Sequence, residues 1–241
     1  MKAKEKLIVA LDVDSADRAL ALFNSLRDAV GMFKIGMQLF TAAGPDLVRR
    51  IIANGGRIFL DLKYHDIPNT VRLAGIEATR LGVSIFNIHA GGGVEMMTRT
   101  AEAVSETAAR EGLSKPKILG VTLLTSMDTA ALSQIGINLE SESLVRVLAG
   151  RAADCGLDGV VASARETSMI RETVSRKDFL IVTPGIRPTL ESGDDQRRTM
   201  TAADAVRAGA DYIVVGRPIL EDENPARAAE GIISEIAAAL S

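Results

Sequence analysis

Asp61 and Lys63 stand two residues apart in the run Ile58-Phe59-Leu60-Asp61-Leu62-Lys63, an otherwise apolar stretch of strand-forming residues. Successive side chains of a strand alternate between its faces, so the two charges share one face and Leu60 and Leu62 take the other. An acid and an ammonium inside an apolar element are costly to desolvate unless each is paired. Lys34, in Met32-Phe33-Lys34-Ile35-Gly36, has similar apolar flanks, and Asp66 follows just past Lys63. Lys34, Asp61, Lys63 and Asp66 can therefore form a chain of alternating sign. At ~4 Å and an effective dielectric of about 20 one contact is worth about 4 kcal/mol before desolvation, so the array is stable only while both signs remain. Fixed charges of this kind can deliver a proton and stabilise charge developing on a reacting carbon.

Elements that would bring these residues together recur along the chain. Short β-rich apolar runs occupy residues 7–13, 33–37, 58–63, 83–89, 118–124, 159–163, 180–186 and 212–217, and segments of helical period lie between them, among them 16–26, 45–53, 70–81, 144–153 and 202–208. Glycine-containing turns such as Leu81-Gly82-Val83 and Ala208-Gly209-Ala210 lead from helix to strand. An alternation of eight such units predicts a single (β/α)8 TIM barrel over residues 1–241, one domain of the usual size for that fold. A doubly wound open sheet is the alternative, but the first turn, Asp12-Val13-Asp14-Ser15, lacks its glycine pattern. In a barrel, inward-facing Lys34, Asp61 and Lys63 would lie at the mouth. The long polar loops 125–142 and 187–198 follow the fifth and seventh strands and are candidate lids.

Composition narrows the function classes. With Lys and Arg at 28 against 31 Asp and Glu, there is no basic field to collect nucleic acid. The apolar run from Leu7 to Leu11 ends at Asp12 and Asp14, too early for a signal peptide, and no stretch reaches membrane-spanning length, so a cytoplasmic protein is expected. Cys155, the single cysteine, reads as a small buried hydrophobe. His65 and His89 have no metal-ligand spacing and read as structural. Gly91-Gly92-Gly93 reads as a tight turn in preference to a phosphate cradle, and Met96 and Met97 as packing.

The run Asp61-Leu62-Lys63-Tyr64-His65-Asp66-Ile67-Pro68-Asn69-Thr70 resembles the signature of the orotidine 5'-phosphate decarboxylase family. Five further segments match it in order: Ala10-Leu11-Asp12, Phe33-Lys34-Ile35-Gly36, Val121-Thr122-Leu123-Leu124-Thr125-Ser126, Thr183-Pro184-Gly185-Ile186-Arg187 with Asp195-Gln196, and Val214-Val215-Gly216-Arg217-Pro218-Ile219. The resemblance implies decarboxylation of orotidine 5'-monophosphate to uridine 5'-monophosphate, with neither metal nor organic cofactor. It implies that Lys63 delivers a proton to C6 and that Asp61 lies beside the departing carboxylate. Asp12 and Lys34 would hold the ribose hydroxyls, and Asp66 with Thr70 would reach the ribose in the partner subunit of a homodimer. Thr125 would contact the pyrimidine, Gln196 would bridge the phosphate, and Arg187 is matched by motif alone.

Physical chemistry gives independent support to part of this. Gly216 and Arg217, at the end of the eighth strand, lie where this fold usually binds phosphate, and a guanidinium fork suits phosphate oxygens. Three other readings remain open: a metal-dependent sugar-phosphate decarboxylase or aldolase of the same superfamily, a Schiff-base lyase using Lys63 or Lys34, and a non-catalytic phosphate-binding barrel. The interleaved lysines already neutralise the acids that a metal would need. Carboxylates beside a lysine favour its ammonium form, which disfavours the nucleophilic amine.

Overall fold

Strand residues alternate between two apolar environments. Ile8, Met32, Phe59, Ile85, Leu119, Val182, Tyr212 and Val214 turn inward and pack against one another along an axis. Their neighbours Leu7, Val9, Phe33, Ile35, Ile58, Leu60 and Phe86 face a surrounding layer of helices. Period-2 alternation with both faces apolar is what a closed parallel sheet wrapped in helices demands.

The computed structural model describes residues 2–186 and 200–240. Its strands are β1 (Leu7–Ala10), β2 (Met32–Gly36), β3 (Ile58–Tyr64), β4 (Ile85–His89), β5 (Lys117–Val121), β6 (Gly159–Val161), β7 (Leu180–Thr183) and β8 (Tyr212–Val215). All pair in parallel in chain order, and β8 returns to β1 through Leu7↔Ile213, closing the barrel. The architecture is the expected (β/α)8 barrel.

Several boundaries differ from the sequence reading. Most apolar runs outlast their ladders at the C-terminal end: Leu11 and Val13 are buried beyond β1, and Leu123 beyond β5, because apolar residues also wall the barrel mouth after pairing has stopped. The helix read as 45–53 begins at Met37 and breaks at Gly44, whose φ of 65 lets Pro45 start a second helical segment. The loop 125–142 contains the helix Thr129–Gln134, capped where the Asp128 carboxylate accepts the Ala131 N–H at 2.9 Å.

The N-terminal end of the barrel is sealed by side chains that cap strand starts. Asp158 accepts the Ile118 N–H at 2.9 Å, and Asp211 the Ile181 N–H at 2.8 Å. Lys6 donates to the carbonyls of Ala210 and Asp211. These bonds satisfy backbone groups that the staggered strand ends leave unpaired, and they leave the C-terminal mouth as the open end.

Candidate active site

The axis changes character one layer above the apolar plug. Two residues beyond Met32, Phe59 and Ile85 in the same inward register stand Lys34, Asp61 and Asn87. Above them opens a cavity of about 520 Å³, lined at its polar end by Asp12, Lys34, Asp61, Lys63, Arg217 and Glu221. Phe59, Leu123, Val161 and Val214 form an apolar wall. Such a pocket excludes water on one side and concentrates fixed charge on the other.

The charges are mutually paired. The Lys34 ammonium lies 2.9 Å from Asp12 Oδ1 and 3.5 Å from Asp61 Oδ2, and the Lys63 ammonium lies 2.6 Å from Asp61 Oδ1. Burial opposes ionisation of Asp61, but Lys34, Lys63 and hydrogen bonds from Lys63 and Asn87 outweigh it and hold its carboxyl below the ordinary 3.8. Gly36 makes room for this cluster: a Cβ there would come within 3.1 Å of the Lys34 nitrogen.

One chain by itself does not assemble the four-residue array, whose Asp66 the resemblance assigns to the partner's site. Within one chain the alternating array is Asp12, Lys34, Asp61, Lys63; Asp66 is exposed, lies outside the cavity lining, and accepts the N–H of Ile67 at 2.7 Å. It falls on the turn that leads outward into the helix Pro68–Arg80, and Thr70 on that helix is also exposed. Nor does simple strand alternation orient Lys63. The β3–β4 register shifts between Leu60 and Tyr64, and Lys63 adopts a left-handed backbone with φ 50. The bulge re-aims its side chain at the mouth.

Thr125, Gly216 and Arg217 line the cavity, with Pro184 and Gly185 beside them. Arg187 and Gln196 lie outside the described residues, as does the whole of the loop 187–198. The triple glycine forms a turn, Ala90–Gly92 in 3-10 conformation with Gly93 at φ 92, away from the cavity lining. Met96 and Met97 are buried behind it. The His65 and His89 rings pack with centroids 5.0 Å apart, and burial, His65 and Lys63 push the His89 imidazole below 6.5.

Sequence reasoning missed Asn87 and Glu221. Asn87 is fully buried and bonds both Asp61 and the Lys63 backbone. Its signal was available: a carboxamide among Ile85, Phe86 and Ile88 has no place in an all-apolar strand unless it serves a polar neighbour. Glu221 follows a short helix whose position against the mouth only the folded chain reveals.

Comparison with known proteins agrees with this geometry. Residues 5–232 match the family model described as orotidine 5'-phosphate decarboxylase / HUMPS family. The chain is 53% identical to a protein of Geobacter sulfurreducens and 51% identical to one of Geotalea daltonii, each named orotidine 5'-phosphate decarboxylase, over 98% of both chains in each case. The crystal structure of the orotidine 5'-phosphate decarboxylase from Lactobacillus acidophilus superposes with a TM-score of 0.83 at 35% identity, covering 95% of this chain and 98% of that one. The charged cavity at the mouth of a closed parallel barrel and these likenesses over nearly its whole length place one conclusion beyond the fold itself: the chain belongs to the orotidine 5'-phosphate decarboxylase / HUMPS family.

Proposed function

We propose that the protein converts orotidine 5'-monophosphate to uridine 5'-monophosphate and CO2, the last step of de novo pyrimidine nucleotide synthesis. The observation that carries this reading is the ion chain Asp12, Lys34, Asp61, Lys63 at the polar end of a half-apolar cavity. Loss of CO2 leaves an electron pair at C6 with no adjacent carbonyl to accept it. A fixed ammonium beside that carbon stabilises the pair and then protonates it, and Lys63 fills this role. Asp61 holds the ammonium in place and sets a like charge near the departing carboxylate, while the apolar wall accepts neutral CO2.

Asp12 and Lys34 hold the ribose hydroxyls, and Thr125 contacts the pyrimidine. Gly216 and Arg217 receive the phosphate, to which Gln196 adds a bridge; Arg187 is assigned to the same nucleotide by its motif position. Asp66 and Thr70 serve the neighbouring site of a homodimer. Their exposure outside their own cavity supports that assignment, as does Ile67 between them, a residue 67% exposed. The reading extends to one catalytic domain working without a metal in the cytoplasm.

The Asp-x-Lys-x-x-Asp core of the motif also resembles that of sugar-phosphate enzymes of the same superfamily, and a metal-dependent reaction of that kind is the second reading. Against it, two of the acids that line the cavity, Asp12 and Asp61, are already paired with ammonium groups. The deciding experiment follows the ultraviolet absorbance of orotidine 5'-monophosphate with purified protein, before and after exhaustive chelation. Equal turnover in both is expected. No turnover would sink the decarboxylase reading, and turnover abolished by EDTA and restored by magnesium would sink its metal independence.

A further inference from the structure

We infer that Asn87 is a positioning residue for this reaction: its carboxamide ties Asp61 to the left-handed backbone of Lys63, so that the Lys63 ammonium meets the reacting carbon in one orientation. The inference rests on the decarboxylase reading above and assigns a role to a residue that does not line the cavity.

Asn87 is fully buried on β4 in the inward register, two residues beyond Ile85. Its amide would be costly there if either end were left unsatisfied. Both ends are used. Nδ2 donates to Asp61 Oδ1 at 2.7 Å, and Oδ1 accepts the backbone N–H of Lys63 at 2.8 Å. The same Asp61 oxygen receives the Lys63 ammonium at 2.6 Å. These contacts close a ring that runs from the Lys63 backbone through Asn87 and Asp61 and back along the Lys63 side chain.

The ring spans the place where β3 and β4 lose register. Lys63 is the one non-glycine among the described residues with a positive φ, a conformation unfavourable for a residue that carries a Cβ. The bulge takes the Lys63 N–H out of regular pairing, and a buried N–H needs another acceptor. Asn87 supplies that acceptor and with its other end fixes which way the Asp61 carboxylate turns. A smaller or apolar residue at this position would leave the barrel its core yet free the bulge to shift.

The groups facing Asp61 are Lys34 from β2, Lys63 from β3, and Asn87 and His89 from β4, with Asp12 behind Lys34. Burial raises the Asp61 pKa, and the two lysines and the hydrogen bonds, that of Asn87 included, bring it down further. Removing the Asn87 donor weakens the hold on the anion without abolishing it.

The test compares wild type, Asn87→Ala and Asn87→Asp for decarboxylation of orotidine 5'-monophosphate across pH, and for binding of uridine 5'-monophosphate by calorimetry. For Asn87→Ala a fall in kcat of ~10²-fold is expected, the loss that a misplacement of about 1 Å brings. KM and product affinity should stay within about threefold, because the ribose and phosphate contacts lie elsewhere. Asn87→Asp keeps the acceptor for the Lys63 N–H but sets a second carboxyl against Asp61. Adjacent carboxyls share a proton, and the protonated form donates to Asp61 as the amide did. The ratio of its kcat to that of wild type should therefore rise as pH falls through the raised pKa of the pair.

Wild-type kcat in Asn87→Ala overturns the inference. So does a rate ratio for Asn87→Asp that is flat with pH, or a loss of product affinity that parallels the loss of kcat. If Asn87→Ala does not fold, the near-isosteric Asn87→Asp decides the matter alone. A wild-type protein that leaves the substrate intact would bring down the decarboxylase reading and this inference with it, an outcome distinct from an active wild type whose variants behave normally.

Discussion

In the proposed reaction Lys63 must stay in place and yet give up a proton at the reacting carbon. Its ion pair with Asp61 holds it in place, and the loss of CO2 would create the base that takes the proton. Lys63→Ala is expected to lower kcat by at least the ~10²–10⁴ of a positioned proton donor, with uridine 5'-monophosphate still bound. Near-normal turnover in the folded variant would remove Lys63 from the role proposed for it. Asp61 offers a second test, through stability. Its folded pKa lies below 3.8, so the unfolded chain takes up protons first as the solution is acidified. Stability from its ionised form is therefore complete above the unfolded value and is lost as pH falls through the folded one. Asp61→Asn should cost ~3 kcal/mol at neutral pH, the lower end for a broken buried pair because Lys34 keeps Asp12. Thermal melts of both proteins from about pH 7 to about pH 3 should show the gap narrowing toward the acid end. A gap constant across that range would mean that the Asp61 charge adds nothing to stability.

At the scale of elements, the barrel separates support from chemistry along each strand. The first inward residues of β2, β3 and β4 are Met32, Phe59 and Ile85, and the next are Lys34, Asp61 and Asn87. The apolar plug thus sets the height at which the charges sit. Gly159, at the start of β6, has no room for a side chain: a Cβ there would come within 2.2 Å of the Leu180 carbonyl oxygen. That atom is backbone and cannot swing aside, so the β6–β7 pairing would have to open. Gly159→Ala is expected to cost ~3 kcal/mol or more, at the upper end of overpacking penalties, and to lower the denaturation midpoint accordingly. An unchanged midpoint would show that β6 can shift without loss.

For the whole molecule, the question is where Asp66 acts. Asp66 and Thr70 are exposed and do not line the cavity of their own chain, and in the proposed homodimer each reaches the partner's site. In a mixed dimer of Lys63→Ala with Asp66→Ala, one site then collects both substitutions and the other neither. Random mixing makes about half of all dimers mixed, with one of their two sites intact, so roughly a quarter of wild-type activity should return from two weak parents. Native mass spectrometry would verify the mixed species before assay. Mixed dimers with only parental activity would mean that Asp66 works within its own chain.

The sequence by itself determined the eight-unit alternation and the candidate residues, because period-2 and period-3.6 patterns and short motifs are local properties. It placed Lys34, Asp61 and Lys63 on inward faces, and those residues line one cavity. Only the tertiary structure decided which charges pair. Asp12 joins Lys34 because β1 lies beside β2, while Asp66, three residues after Lys63, turns away with its helix. The same holds for the left-handed turn at Lys63. A strand pattern cannot reveal a bulge that depends on an acceptor contributed by Asn87, 24 residues further along the chain, since the acceptor exists only once β3 and β4 are side by side.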